Sequence, residues 1–117
     1  MKVGWIGLGI MGAPMAGHLR AAGHELFVNT RSEVPKALRD AGAVACASPA
    51  EVTKKSEVIF TMVPDTPDVQ KVLFGDGGIA SALSKGKTVI DMSSISPIET
   101  KEFAKQIEAT GADWLDA

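Results

Sequence analysis

Gly7, Gly9 and Gly12 stand within the six residues Gly7-Leu8-Gly9-Ile10-Met11-Gly12, a stretch with no charge, serine or threonine. Glycines at this spacing suit a turn that grips an anion with backbone alone. Gly7 makes the tight turn, Gly9 lets a pyrophosphate approach with no Cβ in the way, and Gly12 lets a helix pack closely on a strand. The N–H groups of Ile10 and Met11 then point at the anion, helped by the helix dipole. The rival phosphate loop ends in Gly-Lys-Ser/Thr, which Gly12-Ala13-Pro14 does not supply. The expected ligand is therefore a dinucleotide rather than a nucleoside triphosphate. A structural turn with no ligand is the competing reading.

About 20 positions further on, a carboxylate would hold the adenosine ribose diol of NAD. The sequence has Asn29-Thr30-Arg31-Ser32 there, with no acid before Glu33. Arg31 can pair with a 2′-phosphate, and Asn29, Thr30 and Ser32 can donate hydrogen bonds to it. The expected cofactor is NADP(H) in preference to NAD(H). Other reactive side chains are sparse. Cys46 is the single cysteine, so no internal disulfide forms, and it reads as a core residue in a reducing compartment. His18 and His24 are six apart with no Cys or His at zinc spacing, so no metal is expected.

These groups need a scaffold, and the composition allows one. With 117 residues, 45% hydrophobic and 22% charged, the chain suits one globular domain with its own core. A net charge of -2, with no basic run longer than Lys54-Lys55, predicts neither a nucleic-acid nor a membrane partner. The apolar start of the chain, Val3 to Gly17, is too interrupted by glycine for a signal peptide or a membrane span. A cytoplasmic location is expected.

The elements alternate in kind. Short apolar runs predict strands at 2–6, 25–29, 43–46, 57–63, 88–92 and from Asp113 onward. Helical spacing of Met11, Met15, Ala16 and Leu19 predicts a helix after the glycine turn, with Pro14 in its first turn and Gly23 as its stop. A short helix is predicted over 34–41, closed by Gly42. Ser48-Pro49-Ala50-Glu51 and Ser96-Pro97-Ile98-Glu99 are capping boxes that open helices running to about Ser56 and Thr110, the second ended by Gly111. Helix is also expected over 67–74, with one more turn over 79–84. Strands and helices in this alternation predict an α/β domain spanning 1–117: a Rossmann-type doubly wound, mostly parallel sheet with helices on both faces.

Three ordered stretches, GWIGLGIMGAPMAGHL, MVPDTPDVQKVLFG and DMSSISP, resemble the β-hydroxyacid dehydrogenase family, which includes the 3-hydroxyisobutyrate dehydrogenases. The resemblance covers essentially the whole chain. It implies that Gly7, Leu8, Gly9, Ile10, Met11 and Gly12 bind the pyrophosphate and that Asn29, Thr30 and Arg31 sit at the adenosine ribose. It implies that Met62, Val63 and Pro64 line the cofactor's path, and that Ser94 touches cofactor and substrate with Ser93 beside it. Loop capping is the competing role of both serines.

The implied reaction is transfer of hydride from NADPH to a small 3-oxo acid such as tartronate semialdehyde. A 3-hydroxyisobutyrate-type, imine or 6-phosphogluconate-type substrate, and a dinucleotide-sensing module without turnover, are the alternatives. Family members continue with a helical second domain that carries the general-acid lysine. This chain stops at Asp116-Ala117, so it is expected to be the N-terminal cofactor-binding part of a longer enzyme. No catalytic residue is assigned within 1–117: Lys85 and Lys87 precede a strand, and Lys101 and Lys105 fit a solvated helix face. The expected partners are the substrate and, through the second domain, further copies of the chain.

Overall fold

A computed structural model describes residues 1–7, 17–18, 20–30, 36–62, 66–92 and 97–116. In chain order it contains β1 (Lys2–Ile6), β2 (Glu25–Asn29), α1 (Lys36–Asp40), β3 (Val44–Ala45), α2 (Pro49–Lys55), β4 (Val58–Thr61), α3 (Thr66–Phe74), a 3₁₀ turn (Ile79–Ala82), β5 (Thr88–Asp91), α4 (Pro97–Glu108) and β6 (Asp113–Asp116). Residues 17–18 and 20–21 are also helical. The six strands form one sheet in the order β3-β2-β1-β4-β5-β6. Every pairing is parallel. Expectation and structure agree on the sheet and on the bounds of the first two strands. The strand expected over 57–63 is shorter, because Met62 already leaves it. The turn expected over 79–84 is a 3₁₀ turn of four residues.

Parallel register puts paired residues on the same face. Ile59, Val89 and Trp114 join Val52 of α2, Val69 and Leu73 of α3, and Phe103 and Ile107 of α4 in one buried cluster. On the other face Val3, Trp5, Leu26 and Val28 pack with Leu38 of α1. Both faces of β1 are thereby buried, and its sequence reads as a continuous apolar run rather than an alternating one. The second face is less covered towards β6. Among the described residues Val58, Phe60 and Ile90 are half-buried there, and Leu115 is 56% exposed.

Local chemistry sets the helix ends. Ser48 caps α2, its Oγ accepting from the Glu51 N–H at 3.2 Å. Glu51 closes the motif one residue further out than the capping-box pattern predicts: its Oε2 accepts from the Ala47 N–H at 2.9 Å rather than from Ser48. That bond, and next the Lys55 ammonium 3.3 Å from Oε1, hold the Glu51 carboxyl below the ordinary carboxylate range. At the other end of α2, Lys87 Nζ donates to the carbonyls of Thr53 and Ser56 at 2.8 and 2.5 Å, where a cation complements the helix dipole. Arg20, in the helical residues 20–21, donates to Ala41 O at 2.7 Å and His24 O at 3.1 Å.

Gly4 lies in the middle of β1, beneath α2. A Cβ at Gly4 would stand 2.5 Å from Val52 Cγ1 and 2.7 Å from Ser56 Oγ. The strand thus needs glycine for close approach of the helix. Gly4→Ala is expected to destabilise the fold by about 1–3 kcal/mol through overpacking, read as a lower denaturation midpoint with unchanged slope. An unaltered midpoint would show that α2 moves aside at no cost.

Candidate functional site at the carboxyl edge of the sheet

The strand order reverses between β1 and β4. From β1 the chain winds outward to β2 and β3, then crosses back and winds outward through β4, β5 and β6. At such a switch point the connections leave in opposite directions, and a crevice opens outside the carboxyl ends of the strands. Helix N-termini and strand-end loops converge there, which makes it the ligand end of this architecture.

The described residues put several predicted groups on that edge. Gly7 N–H donates to Asn29 O at 3.0 Å, Met62 N–H to Ile6 O at 2.9 Å and Met92 N–H to Thr61 O at 2.8 Å. The hydrogen-bond ladder therefore runs one residue past β1, β4 and β5, and it aligns Gly7, Met62 and Met92 in a row. Gly7 has φ +79°, the left-handed region that a side chain would strain, so the chain turns sharply where the glycine spacing requires it.

Asn29 and Thr30 close the row on the β2 side, both half-buried. Asn29 Nδ2 donates to Cys46 O at 2.9 Å, tying the tip of β2 to the end of β3 and setting where Thr30 stands. Leu8, Gly9, Ile10, Met11, Gly12, Arg31, Val63, Pro64, Ser93 and Ser94 lie outside the described residues.

Beneath the row, Thr61 Oγ1 donates to Asp91 Oδ1 at 2.8 Å. Both residues are buried, and they are register partners at the ends of β4 and β5. The bond fixes the spacing between the two strand ends that lead into Met62-Val63-Pro64 and Met92-Ser93-Ser94. Sequence reasoning placed Asp91 and Met92 in the DMSSISP motif but missed the bond between Thr61 and Asp91. The only signal was that Thr61 and Asp91 each stand just before a motif methionine.

Cys46 lies close to this edge, and burial, then the Glu51 charge, push its thiol above the ordinary range. A protonated thiol is a poor nucleophile, in keeping with a core role. Among the described residues no group of three or more His, Cys, Asp or Glu is placed to hold a metal. None of the described helices is long and apolar enough to cross a membrane.

At the opposite, amino edge is a hollow of about 520 Å³ lined by Lys2, Phe27, Lys54, Lys55, Ser56, Glu57 and Lys87. Two of its lysines are engaged: Lys87 caps α2 and Lys55 pairs with Glu51.

The family model of the NAD binding domain of 6-phosphogluconate dehydrogenase matches residues 2–117. The chain belongs to that family. It is 56% identical over 117 residues to 2-hydroxy-3-oxopropionate reductase of Escherichia coli (strain K12), covering 100% of this chain and 40% of the reductase. It is 41% identical over 116 residues to the mitochondrial 3-hydroxyisobutyrate dehydrogenase of Mus musculus, covering 98% and 35%. An imine reductase from Myxococcus stipitatus in complex with NADP+ superposes with a TM-score of 0.89 at 25% identity, covering 99% of this chain and 40% of that one. The reductase and the 3-hydroxyisobutyrate dehydrogenase are enzymes of the β-hydroxyacid class, and this chain corresponds to an NAD(P)-binding domain. It spans about 40% or less of the length of these relatives.

Proposed function

We propose that residues 1–117 form a single dinucleotide-binding domain of an NADP(H)-dependent oxidoreductase that interconverts tartronate semialdehyde (2-hydroxy-3-oxopropionate) and D-glycerate. One observation carries the binding role: the glycine turn opens, with Gly7 at φ +79°, at the carboxyl edge of β1, beside the β1/β4 switch point. The 56% identity to a 2-hydroxy-3-oxopropionate reductase supports the substrate. When bound, the nicotinamide supplies the hydride.

The chain's own residues then have distinct tasks. Gly7 to Gly12 hold the pyrophosphate with backbone N–H groups. Asn29, Thr30 and Arg31 take the adenosine ribose and its 2′-phosphate. Met62, Val63 and Pro64 line the path to the nicotinamide, and Ser93 and Ser94 face substrate, Ser94 also the cofactor. The geometry supports this by bringing Gly7, Asn29, Thr30 and Met62 to one edge. No residue of the chain is assigned as general acid. Lys87 caps α2 at the far edge, and Lys101 and Lys105 are exposed on α4. The half-covered face around Phe60, Ile90 and Leu115 supports contact with a further domain or a second copy. A cytoplasmic setting agrees with the buried free thiol of Cys46.

NADP(H) is expected to bind more tightly than NAD(H), through Arg31. A hydrogen bond to a charged group contributes roughly 1.5–3 kcal/mol, about one to two decades in affinity. Calorimetric titration of both dinucleotides, with Arg31→Ala beside the parent, checks this. Equal affinities in the parent, or a preference that survives in Arg31→Ala, would contradict the assignment.

A further inference from the structure

The first turn of the glycine loop is held by a side chain from the strand beneath it. Trp5 is 1% exposed, and its indole stacks on Phe60 with centroids 5.1 Å apart and planes 17° from parallel. Any large apolar residue could fill that space. Tryptophan also brings a donor, and Trp5 Nε1–H donates to Gly7 O at 2.9 Å.

That bond acts on the residue least able to hold itself. Gly7 sits at φ +79° and has no side chain, so its peptide units rotate with little steric resistance. On one side the Gly7 N–H is fixed to Asn29 O at 3.0 Å. On the other side the Gly7 carbonyl is fixed to the Trp5 indole. The peptide bond is planar, so holding this carbonyl also holds the unit that carries the Leu8 N–H and opens the loop. The carbonyl is kept against the second face of the sheet. Turned outward, its negative end would face an anion and oppose binding.

We infer that Trp5 is a positioning residue for the dinucleotide, acting through the Gly7 carbonyl to preset the entry of the phosphate-binding loop. The inference rests on the proposed role of that loop. It adds a residue that the glycine pattern does not contain and that never touches the ligand. Because the restraint exists before binding, its loss weakens affinity rather than contact.

Trp5→Phe keeps an aromatic ring on Phe60 and removes the donor. NADPH is expected to bind this variant about two- to tenfold more weakly, the worth of one net hydrogen bond, at a temperature where both proteins are folded. A purely structural role would lower the melting temperature and leave the dissociation constant unchanged, which would overturn the inference. The parent gives an independent readout that does not depend on the variant folding. Its two tryptophans, Trp5 and Trp114, each carry one indole N–H that can be followed by NMR. Saturation with NADPH is expected to shift that of Trp5 and leave that of Trp114, three strands away at the sheet's edge. A still Trp5 resonance in a parent that binds NADPH overturns the positioning role alone. A parent that binds neither NADPH nor NADH overturns it together with the proposed function.

Discussion

A polypeptide of these 117 residues is expected to bind NADPH yet to reduce tartronate semialdehyde at least about 100-fold more slowly than a full-length reductase of the family. The expectation follows from how the chemistry divides. The dinucleotide is proposed to bind at the carboxyl edge of β1, β2, β4 and β5, where Gly7, Asn29, Thr30 and Met62 stand. Proton delivery to the carbonyl is another matter. The family resemblance assigns it to a lysine in a helical second domain. Lys87 is committed to the end of α2, and Lys101 and Lys105 are exposed on α4.

General acid–base catalysis contributes about 10²–10⁴-fold, and orientation of the substrate by the rest of its pocket contributes several kcal/mol more. The assay is NADPH oxidation with the 117-residue polypeptide beside a full-length form. Turnover by the short polypeptide at the full-length rate would mean that an acid lies within 1–117 and that the site is assigned wrongly. Tight NADPH binding without turnover in either form would favour a sensing module instead.

The second large effect belongs to Gly9. Gly9→Val is expected to weaken dinucleotide binding by about 100-fold or more, a loss of about 2.7 kcal/mol. A branched side chain at the second glycine of the motif occupies the place the pyrophosphate needs. Gly7 and Gly9 have different tasks, so they are expected to fail differently. Gly7 adopts φ +79° and is conformationally required, whereas the motif assigns Gly9 to leaving space at the ligand. Gly9→Ala, with a single methyl, should fall between parent and Gly9→Val. Circular dichroism establishes that each variant is folded. Undiminished NADPH binding in folded Gly9→Val would reduce the loop to an ordinary turn.

Much of this architecture is legible in the sequence because its signals are local. The runs KVGWI and ELFVN predict β1 and β2 at their observed bounds, since short apolar runs bounded by turn residues mark buried or half-buried strands. Ser48, with Pro49 after it, predicts the start of α2, because a cap and a fixed φ act within one turn. The glycine spacing predicts the sharp turn at Gly7.

What was not legible depends on residues far apart in the chain. The Thr61–Asp91 bond spans 30 positions, and Asn29 finds the Cys46 carbonyl 17 positions on. Neither follows from periodicity. The Trp5–Gly7 bond is close in sequence but depends on the left-handed Gly7 backbone, and the pattern reads Trp5 only as apolar filling. Lys2, the Lys54-Lys55 pair and Lys87 lie far apart in the sequence, yet the strand starts and the end of α2 bring them around a single hollow.

That hollow supplies the rival location in the most direct test of the central claim, that the dinucleotide binds at the carboxyl edge of the sheet. Backbone amide resonances of the protein are followed while NADPH is added. The predicted shifts are at Gly7, Thr30, Met62 and Met92, with little change at Lys2, Glu57 and Lys87 on the amino edge. Shifts centred on Lys2, Lys54, Lys55 and Lys87, or none at saturating NADPH, would contradict it.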